Sequence, residues 1–332
     1  MNAPLQRIGI VGGGAWGTAL AVTVRRAGRD TVLWAREAEV VEAINARHEN
    51  EIFLPGIALD EAIVATADLA AAAACDALLL VVPAQHLRAV ATKLAPSLRA
   101  GTPVVLCAKG IEEKTGALMS EVAEACLLGA TLAVLSGPTF AAEVARGLPT
   151  AVTLAIYDRT VGQQLNAALG TRSFRPYLSD DVVGAEIGGA VKNVLAIACG
   201  IVDGKRLGDN ARAALITRGL AEMVRLARAK GGRAETLMGL SGLGDLTLTC
   251  TGLQSRNHSL GVALGEGKSL DEILGARRSI AEGVASAAAV ADLAGRLGIE
   301  MPIVAAVAAI LHRGAAIDTT IDALLARPFR SE

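Results

Sequence analysis

The sequence is short of aromatic rings: two Trp, two Tyr and four Phe amount to 2% of 332 residues. Its core must therefore be assembled mainly from Ala, Val, Leu and Ile, and small Ala side chains let helices pack closely. Charge of one sign is also lacking, since 32 Lys and Arg offset 33 Asp and Glu for a formal net charge of −1. A general nucleic-acid or membrane-surface role normally shows a net basic field, which is absent. A small anionic ligand needs only a local cluster. The cysteines, Cys75, Cys107, Cys126, Cys199 and Cys250, are odd in number and form no CxxC pair. That argues against a disulfide framework or zinc and for free thiols in a reducing cytosol. His48, His86, His258 and His312 have no metal-ligand spacing, so no metal is expected. The most apolar stretch, Leu69 to Val82, is broken by Asp76 and stopped by Pro83, too short and too polar to span a bilayer. A strand-like run begins at Arg7 where a signal peptide would lie, so a cytoplasmic protein is expected.

What is present suits about two domains. Hydrophobic residues make up 52%, enough for substantial cores and too many for disorder. The first half alternates short β-branched runs with Ala-rich segments of helical length. Strands are predicted at Ile8–Val11, Thr31–Trp34, Ala77–Val82, Pro103–Cys107, Leu132–Leu135 and Ala151–Ile156, with another through Ser173–Tyr177. Apolar strands separated by helices predict a parallel sheet covered on both faces. From about Asp180 the texture changes to long helical stretches, Ala185–Cys199, Ala211–Lys230 and Val284–Leu297. Gly-rich spots at Ser241–Gly244 and Gly261–Gly267 read as loops between helices.

The first strand runs into Gly12-Gly13-Gly14-Ala15-Trp16-Gly17. Gly12, Gly14 and Gly17 satisfy G-x-G-x-x-G, in which the first glycine permits a tight turn, the second admits a pyrophosphate and the third packs helix on strand. The helix that follows offers free N–H groups and a positive dipole end. The pattern gains weight because it follows a strand, opens an Ala-rich helix and leads to a second strand. The expected fold class is thus an α/β Rossmann-type N-terminal domain, residues 1–180, followed by an all-α C-terminal domain, residues 181–332, for substrate and catalysis. The second strand ends Trp34-Ala35-Arg36-Glu37, without the usual acid at its tip. Arg36 could face the 2′-phosphate of NADP, or be a solvated charge, while Glu37 keeps NAD open. Ligands of such sheets lie beyond the carboxyl ends of the strands. Pro83, Lys109-Gly110 and Ser136-Gly137-Pro138-Thr139-Phe140 fall there, Lys109 as a cation and Gly137 and Thr139 as polar contacts.

The segment Gly188-Gly189-Ala190-Val191-Lys192-Asn193-Val194-Leu195-Ala196 sets a lysine in an apolar helix. Its neighbours at three and four residues are Gly188, Gly189, Leu195 and Ala196. Lys192 therefore lines a cleft, where burial lowers its pKa and suits it to proton transfer, or else it packs its stem and reaches water. Asn193 can donate to substrate oxygens. Asp245, in the glycine-bounded Ser241–Cys250 stretch, is a natural partner for Lys192, because a buried carboxylate needs one. Ser255, Arg256 and Asn257 add donors, with the Arg256 fork suited to phosphate oxygens. These groups describe a site between domains for a small ketone bearing phosphate or carboxylate.

In combination these stretches resemble the bacterial NAD(P)-dependent glycerol-3-phosphate dehydrogenase family. The matches are Gly12–Leu20 (GGGAWGTAL), Ser136–Phe140 (SGPTF), Gly188–Asn193 (GGAVKN), Ala214–Glu222 (ALITRGLAE), Gly242–Leu246 (GLGDL), Thr249–Thr251 with Ser255–Asn257, Glu282–Gly283 and Met301–Ile303. They run in the family's order through nearly the whole chain. The resemblance implies hydride transfer between NAD or NADP and dihydroxyacetone phosphate, giving sn-glycerol 3-phosphate for phospholipid synthesis. It implies Lys192 as proton donor and acceptor, supported by Asp245. It places Lys109, Gly137, Thr139, Asn193, Ser255, Arg256 and Asn257 at the substrate. Gly12, Gly14, Ala15, Trp16, Gly17, Arg36, Lys109, Ala141, Arg256, Ile280 and Glu282 would hold the cofactor. Ala15 departs from the family's common serine and so lacks one hydroxyl. A homodimer is also implied. Two other readings fit the bare motifs: a β-hydroxy-acid dehydrogenase with a catalytic lysine, and a dinucleotide sensor without turnover, whose expected mark, a missing proton donor, is at odds with Lys192.

Overall fold

The β-branched and Leu-rich runs form β1 (Arg7–Val11), β2 (Asp30–Trp34), β3 (Glu49–Asn50), β4 (Leu54–Ala58), β5 (Ile63–Thr66), β6 (Ala77–Leu80), β7 (Pro103–Leu106), β8 (Thr131–Ser136), β9 (Thr150–Ala155) and β10 (Phe174–Ser179). Among them lie α1 (Ala15–Arg26), α2 (Ala38–Arg47), α3 (Leu69–Ala73), α4 (Leu87–Leu94), α5 (Met119–Cys126), α6 (Ala141–Arg146) and α7 (Arg159–Leu169). The chain then continues as α8 (Val182–Gly204), α9 (Asp209–Ala229), α10 (Ala234–Leu237), α11 (Asp245–Thr251), α12 (Arg256–Gly265), α13 (Leu270–Gly275), α14 (Glu282–Arg296), α15 (Pro302–Arg313) and α16 (Ile317–Leu325). The computed structural model describes residues 4–275 and 281–328; Ile280 lies outside them.

Eight strands form one sheet in the order β10-β9-β8-β7-β6-β1-β2-β5, while β3 and β4 pair separately. From β5 to β8 this is the order of a doubly wound dinucleotide-binding sheet, with its crevice where the connections from β1 and β6 part. Both faces are buried. Ile8 and Ile10 pack with Ala19 and Leu20 of α1 on one side, and Val11 packs with Leu78 and Leu87 on the other. Near-continuous apolar strands are what such a position requires.

The sheet is parallel as expected at every pairing but one: β8 and β9 are antiparallel. β8 has six residues and is about 20 Å long. The connecting α6 also has six residues but rises only about 9 Å, too little to return the chain to the opposite edge. β9 therefore starts at the end where β8 stops, and Gly137–Phe140 remains there. Strands β3, β4 and β5 lie where none is predicted. All are short, and β4 contains Pro55-Gly56; β5 does fall in an apolar run, Ala62-Ile63-Val64-Ala65, but one of only four residues.

Helix α8 is buried along nearly its whole length, with α9, α11, α12, α14 and α15 packed around it. A helix apolar on all sides belongs in a core. Among the described residues it alone is long and apolar enough to cross a membrane, and its apolar window is enclosed within the protein. The loop expected at Gly261–Gly267 is instead largely helix α12. Its glycines serve contact rather than turning: a Cβ on Gly200 of α8 would lie 2.1 Å from the His258 carbonyl oxygen, and one on Gly261 would lie 2.1 Å from that of Ile197. Ser241–Gly244, also expected as a loop, lies in a wide helical turn, Leu240–Gly244, running into α11. The five cysteines are free thiols, four of them buried.

Candidate active site

The glycine loop joins β1 to α1 at the carboxyl edge of the sheet. Gly12 has φ +132°, a value that disfavours any side chain, and a Cβ there would lie 2.5 Å from the Val81 carbonyl oxygen. A Cβ on Gly17 would sit 1.8 Å from the Gly12 oxygen, whereas above Gly14 nothing lies within 4 Å. The loop is thus closed underneath and open above. No side chain caps α1, so its first N–H groups are available to a diphosphate. The buried Trp16 indole N–H has no protein partner, as expected of a donor reserved for a ligand. Ala15 opens the helix beside it. These features fit a dinucleotide. Asn50 anchors the loop, its Nδ2 donating to Gly13 O and to Thr18 Oγ1, both at 2.8 Å. Sequence reasoning missed Asn50, because a lone Asn in a charged stretch carries no signal. Beyond the tip of β2, Arg36 is exposed and its Nη2 lies 2.7 Å from Glu37 Oε1.

A cluster of charged side chains gathers at the tips of β7 and β8. Lys109, just beyond β7, donates from Nζ to Gly137 O at 2.8 Å, to Thr139 Oγ1 at 3.4 Å and to Asp245 Oδ2 at 2.7 Å. From the helical half, Lys192 Nζ donates to Asp245 Oδ1 at 2.5 Å and to Thr249 Oγ1 at 2.9 Å. One carboxylate thus joins two amines that reach it from the two halves of the chain. Lys192 and Asp245 are buried. Burial drives the Lys192 ammonium down to about 8 against the opposing pull of Asp245, and the Lys109 charge adds to the fall. Thr249, placed one helical turn after Asp245, was not singled out; its Leu-Thr-Leu-Thr setting has the alternation of a strand and hides an i, i+4 pair.

A second set of contacts surrounds the amines. Asn193 Nδ2 donates to Lys109 O at 3.1 Å, Asn257 Nδ2 to Asn193 Oδ1 at 2.9 Å, and Gly283 N to Asn257 Oδ1 at 3.0 Å. Both asparagines therefore tie α8, α12 and α14 to the Lys109 segment. Ser255 is the N-cap of α12, accepting from His258 N at 3.2 Å, and exposed Arg256 begins that helix. Glu282 accepts from Ala84 N at 3.2 Å, next to Pro83 at the tip of β6. Burial raises the Glu282 carboxyl, while that N–H and the charges of Arg256, Lys192 and Lys109 pull it down. A cavity of about 140 Å³ lined by Pro83, Ala84 and Glu282 opens here. Ala141 begins α6 beyond Phe140. Arg36 lies outside this network, at the tip of β2. A larger cavity of about 310 Å³, beside Met301 and Arg327, contains none of these residues.

A doubly wound sheet with an open glycine loop, facing a buried lysine and carboxylate from a helical domain, defines a two-domain nucleotide-dependent oxidoreductase. Residues 7–162 match the NAD-dependent glycerol-3-phosphate dehydrogenase N-terminus, and residues 181–322 match the C-terminus of the same family. A glycerol-3-phosphate dehydrogenase [NAD(P)+] of Parvibaculum lavamentivorans is 62% identical, with 100% of both chains covered. One from Rhodospirillum rubrum is also 62% identical over 100% of this chain and 95% of its own. The crystal structure of glycerol-3-phosphate dehydrogenase from Coxiella burnetii is 43% identical and superposes with a TM-score of 0.94, covering 97% of this chain and 99% of that one. The chain belongs to the NAD-dependent glycerol-3-phosphate dehydrogenase family.

Proposed function

We propose that this protein interconverts dihydroxyacetone phosphate and sn-glycerol 3-phosphate with NADPH or NADH, in the cytoplasm, and so supplies glycerol phosphate for phospholipid synthesis. The observation that carries the reading is the Lys109–Asp245–Lys192 bridge at the carboxyl edge of the sheet, in line with the names of the full-length relatives. The division of labour is residues 1–180 for the dinucleotide and 181–332 for substrate and catalysis. A homodimer is part of the same proposal.

When bound, a nicotinamide dinucleotide would supply the hydride that the ketone carbon takes up. Gly12, Gly14, Ala15, Trp16 and Gly17 hold the diphosphate region, Arg36 meets the adenosine end, and Ala141 and Glu282 complete the binding surface. Arg256, with the capped turn Ser255–Asn257, binds the substrate phosphate, and Gly137, Thr139 and Asn193 flank the carbon chain. Lys109 places a second positive charge near the carbonyl oxygen. Lys192 hydrogen-bonds that oxygen and gives its proton to the developing alkoxide; in the reverse direction its neutral amine takes the proton back. Asp245 keeps the amine oriented, and fixed donors at such a point do not reorganise during the reaction. Phosphate bound away from the carbonyl helps to fix the reacting geometry.

The test is loss of NADPH absorbance on adding dihydroxyacetone phosphate. Lys192→Met should lower turnover by about 10²–10⁴, the usual contribution of general acid catalysis, while NADPH affinity by fluorescence titration changes less than about twofold. Near-normal turnover would remove Lys192 from the mechanism.

A further inference from the structure

We propose that His258 is a positioning residue, which aims the first turn of α12, and with it Arg256, at the substrate phosphate. This rests on the reading of Arg256 as the phosphate ligand and extends it to what holds that ligand in place.

His258 lies in the third position of α12, its N–H on the Ser255 cap. Its ring is buried and its Nε2 lies 2.8 Å from Asp203 Oδ2. Asp203 is on α8, eleven residues beyond Lys192, which is about three helical turns and returns nearly to the same face. The other oxygen of Asp203 accepts from Arg212 Nη1 at 2.7 Å, and Arg212 Nη2 donates to Asp209 Oδ1 at 2.5 Å. The carboxylate is therefore fixed by α9 and presents one defined oxygen to the histidine. On the cleft side, Asn257 joins Asn193 and Gly283. The first turn of α12 is thus held from two directions, towards the cleft by Asn257 and towards the far end of α8 by His258.

The packing explains why such a hold is needed. Helices α8 and α12 cross on Gly200, Gly204, Gly261 and Gly265, where an added Cβ would meet backbone at 2.1 to 2.7 Å. Backbone-on-backbone contact fixes the distance between axes. It offers few interlocking side chains to fix the rotation of one helix about its own axis, which ridges and grooves otherwise do. The His258–Asp203 contact supplies that rotational stop, and the direction of Arg256, two residues earlier, follows from it.

The experiment compares kcat/KM for dihydroxyacetone phosphate with kcat/KM for dihydroxyacetone, which lacks the phosphate. His258→Leu should lower the first about tenfold, the equivalent of one hydrogen bond to a charged group, and the second less than about twofold. His258→Gln, which keeps an N–H donor of similar reach, should restore most of the loss. Asp203→Ala should reproduce the selective loss, and the double variant should add little to either single one. Equal losses with both substrates, or no loss with the phosphate ester, would overturn the proposal. If His258→Leu does not fold, Asp203→Ala carries the same comparison, and the same two results would overturn it. Arg256→Ala tests the underlying reading separately: if it leaves the preference for the phosphate ester intact, Arg256 is not the ligand. If Arg256→Ala abolishes that preference and His258→Leu leaves it unchanged, only the positioning role is lost.

Discussion

Replacing Asp245 by Asn should move the pH range in which the enzyme works, because Asp245 holds the Lys192 ammonium up while burial and Lys109 press it down. With the Lys192 pKa at about 8, about one amine in eleven is neutral at pH 7, against about one in three thousand for an ordinary lysine. An adjacent opposite charge shifts a pKa by about one to three units, so without the Asp245 charge the Lys192 amine should titrate lower by about that amount. Oxidation of glycerol 3-phosphate needs the neutral amine, and its rate falls as pH drops through this pKa. Reduction of dihydroxyacetone phosphate needs the ammonium, and its rate falls as pH rises through it. Profiles of kcat/KM report the groups of the free enzyme. The acid limb of oxidation should therefore lie near pH 8 in the parent and about one to three units lower in Asp245→Asn, with reduction at pH 7 falling about twofold for a one-unit drop and about a hundredfold for three. Initial rates in both directions, alongside NADPH fluorescence titration, give the measurement. An acid limb that keeps its position while only the amplitude drops would refute the claim that Asp245 sets the protonation of Lys192.

Arg36→Gln should weaken NADPH binding about threefold to tenfold and leave NADH nearly unchanged, since an exposed cation beside a phosphate contributes about 1 kcal/mol; equal effects in fluorescence titrations would exclude contact with a 2′-phosphate. Gly261→Ala forces a methyl group against the Ile197 carbonyl and should destabilise the fold by about 1–3 kcal/mol, read by denaturant unfolding. Glu186 of α8 accepts from Ser120 N and Oγ at the start of α5, at 2.7 and 2.6 Å, and burial raises its carboxyl to about 7. A folded-state pKa raised from 4.5 means that its contribution to stability is full below about pH 4.5 and is lost as pH rises through about 7. Glu186→Gln should therefore gain stability relative to the parent between about pH 5 and pH 8, by up to about 3 kcal/mol; a difference that does not vary with pH would contradict the assignment.

The parts of this molecule legible in the sequence are those encoded by local pattern. Gly12, Gly14 and Gly17 stand between a strand and an Ala-rich helix, and Lys192 is the one charged residue between Ile187 and Val202. Contacts between distant segments left weaker traces. Lys109 and Asp245 are 136 residues apart, and each has an ordinary local setting, so their bond is visible only when the two halves meet. Gly261 and Gly265 look like turn residues because a single sequence shows no partner helix; the approach of α8 gives them their purpose. The reversal at β9 depends on the length of α6, a matter of a few residues that periodicity does not record.

The charges around Asp245 are hard to explain as stabilising elements. Two ammonium groups and one carboxylate leave an excess of one positive charge, with side-chain exposures of 13% for Lys109, 8% for Lys192 and 1% for Asp245. Each desolvated ion costs several kcal/mol, and apolar residues of similar volume usually hold a core as well or better. The hydrogen bonds from both amines to Asp245, with Gly137 O and the Thr139 and Thr249 hydroxyls as further partners, offset part of that cost but leave the excess charge in place. A developing alkoxide beside a phosphate ester is the kind of species that such an excess stabilises, and it does so only while the reaction is under way. The same arrangement explains why the acid must be a depressed lysine: an amine near 8 keeps its proton at neutral pH yet gives it up to an alkoxide, and regains it from solvent once product leaves.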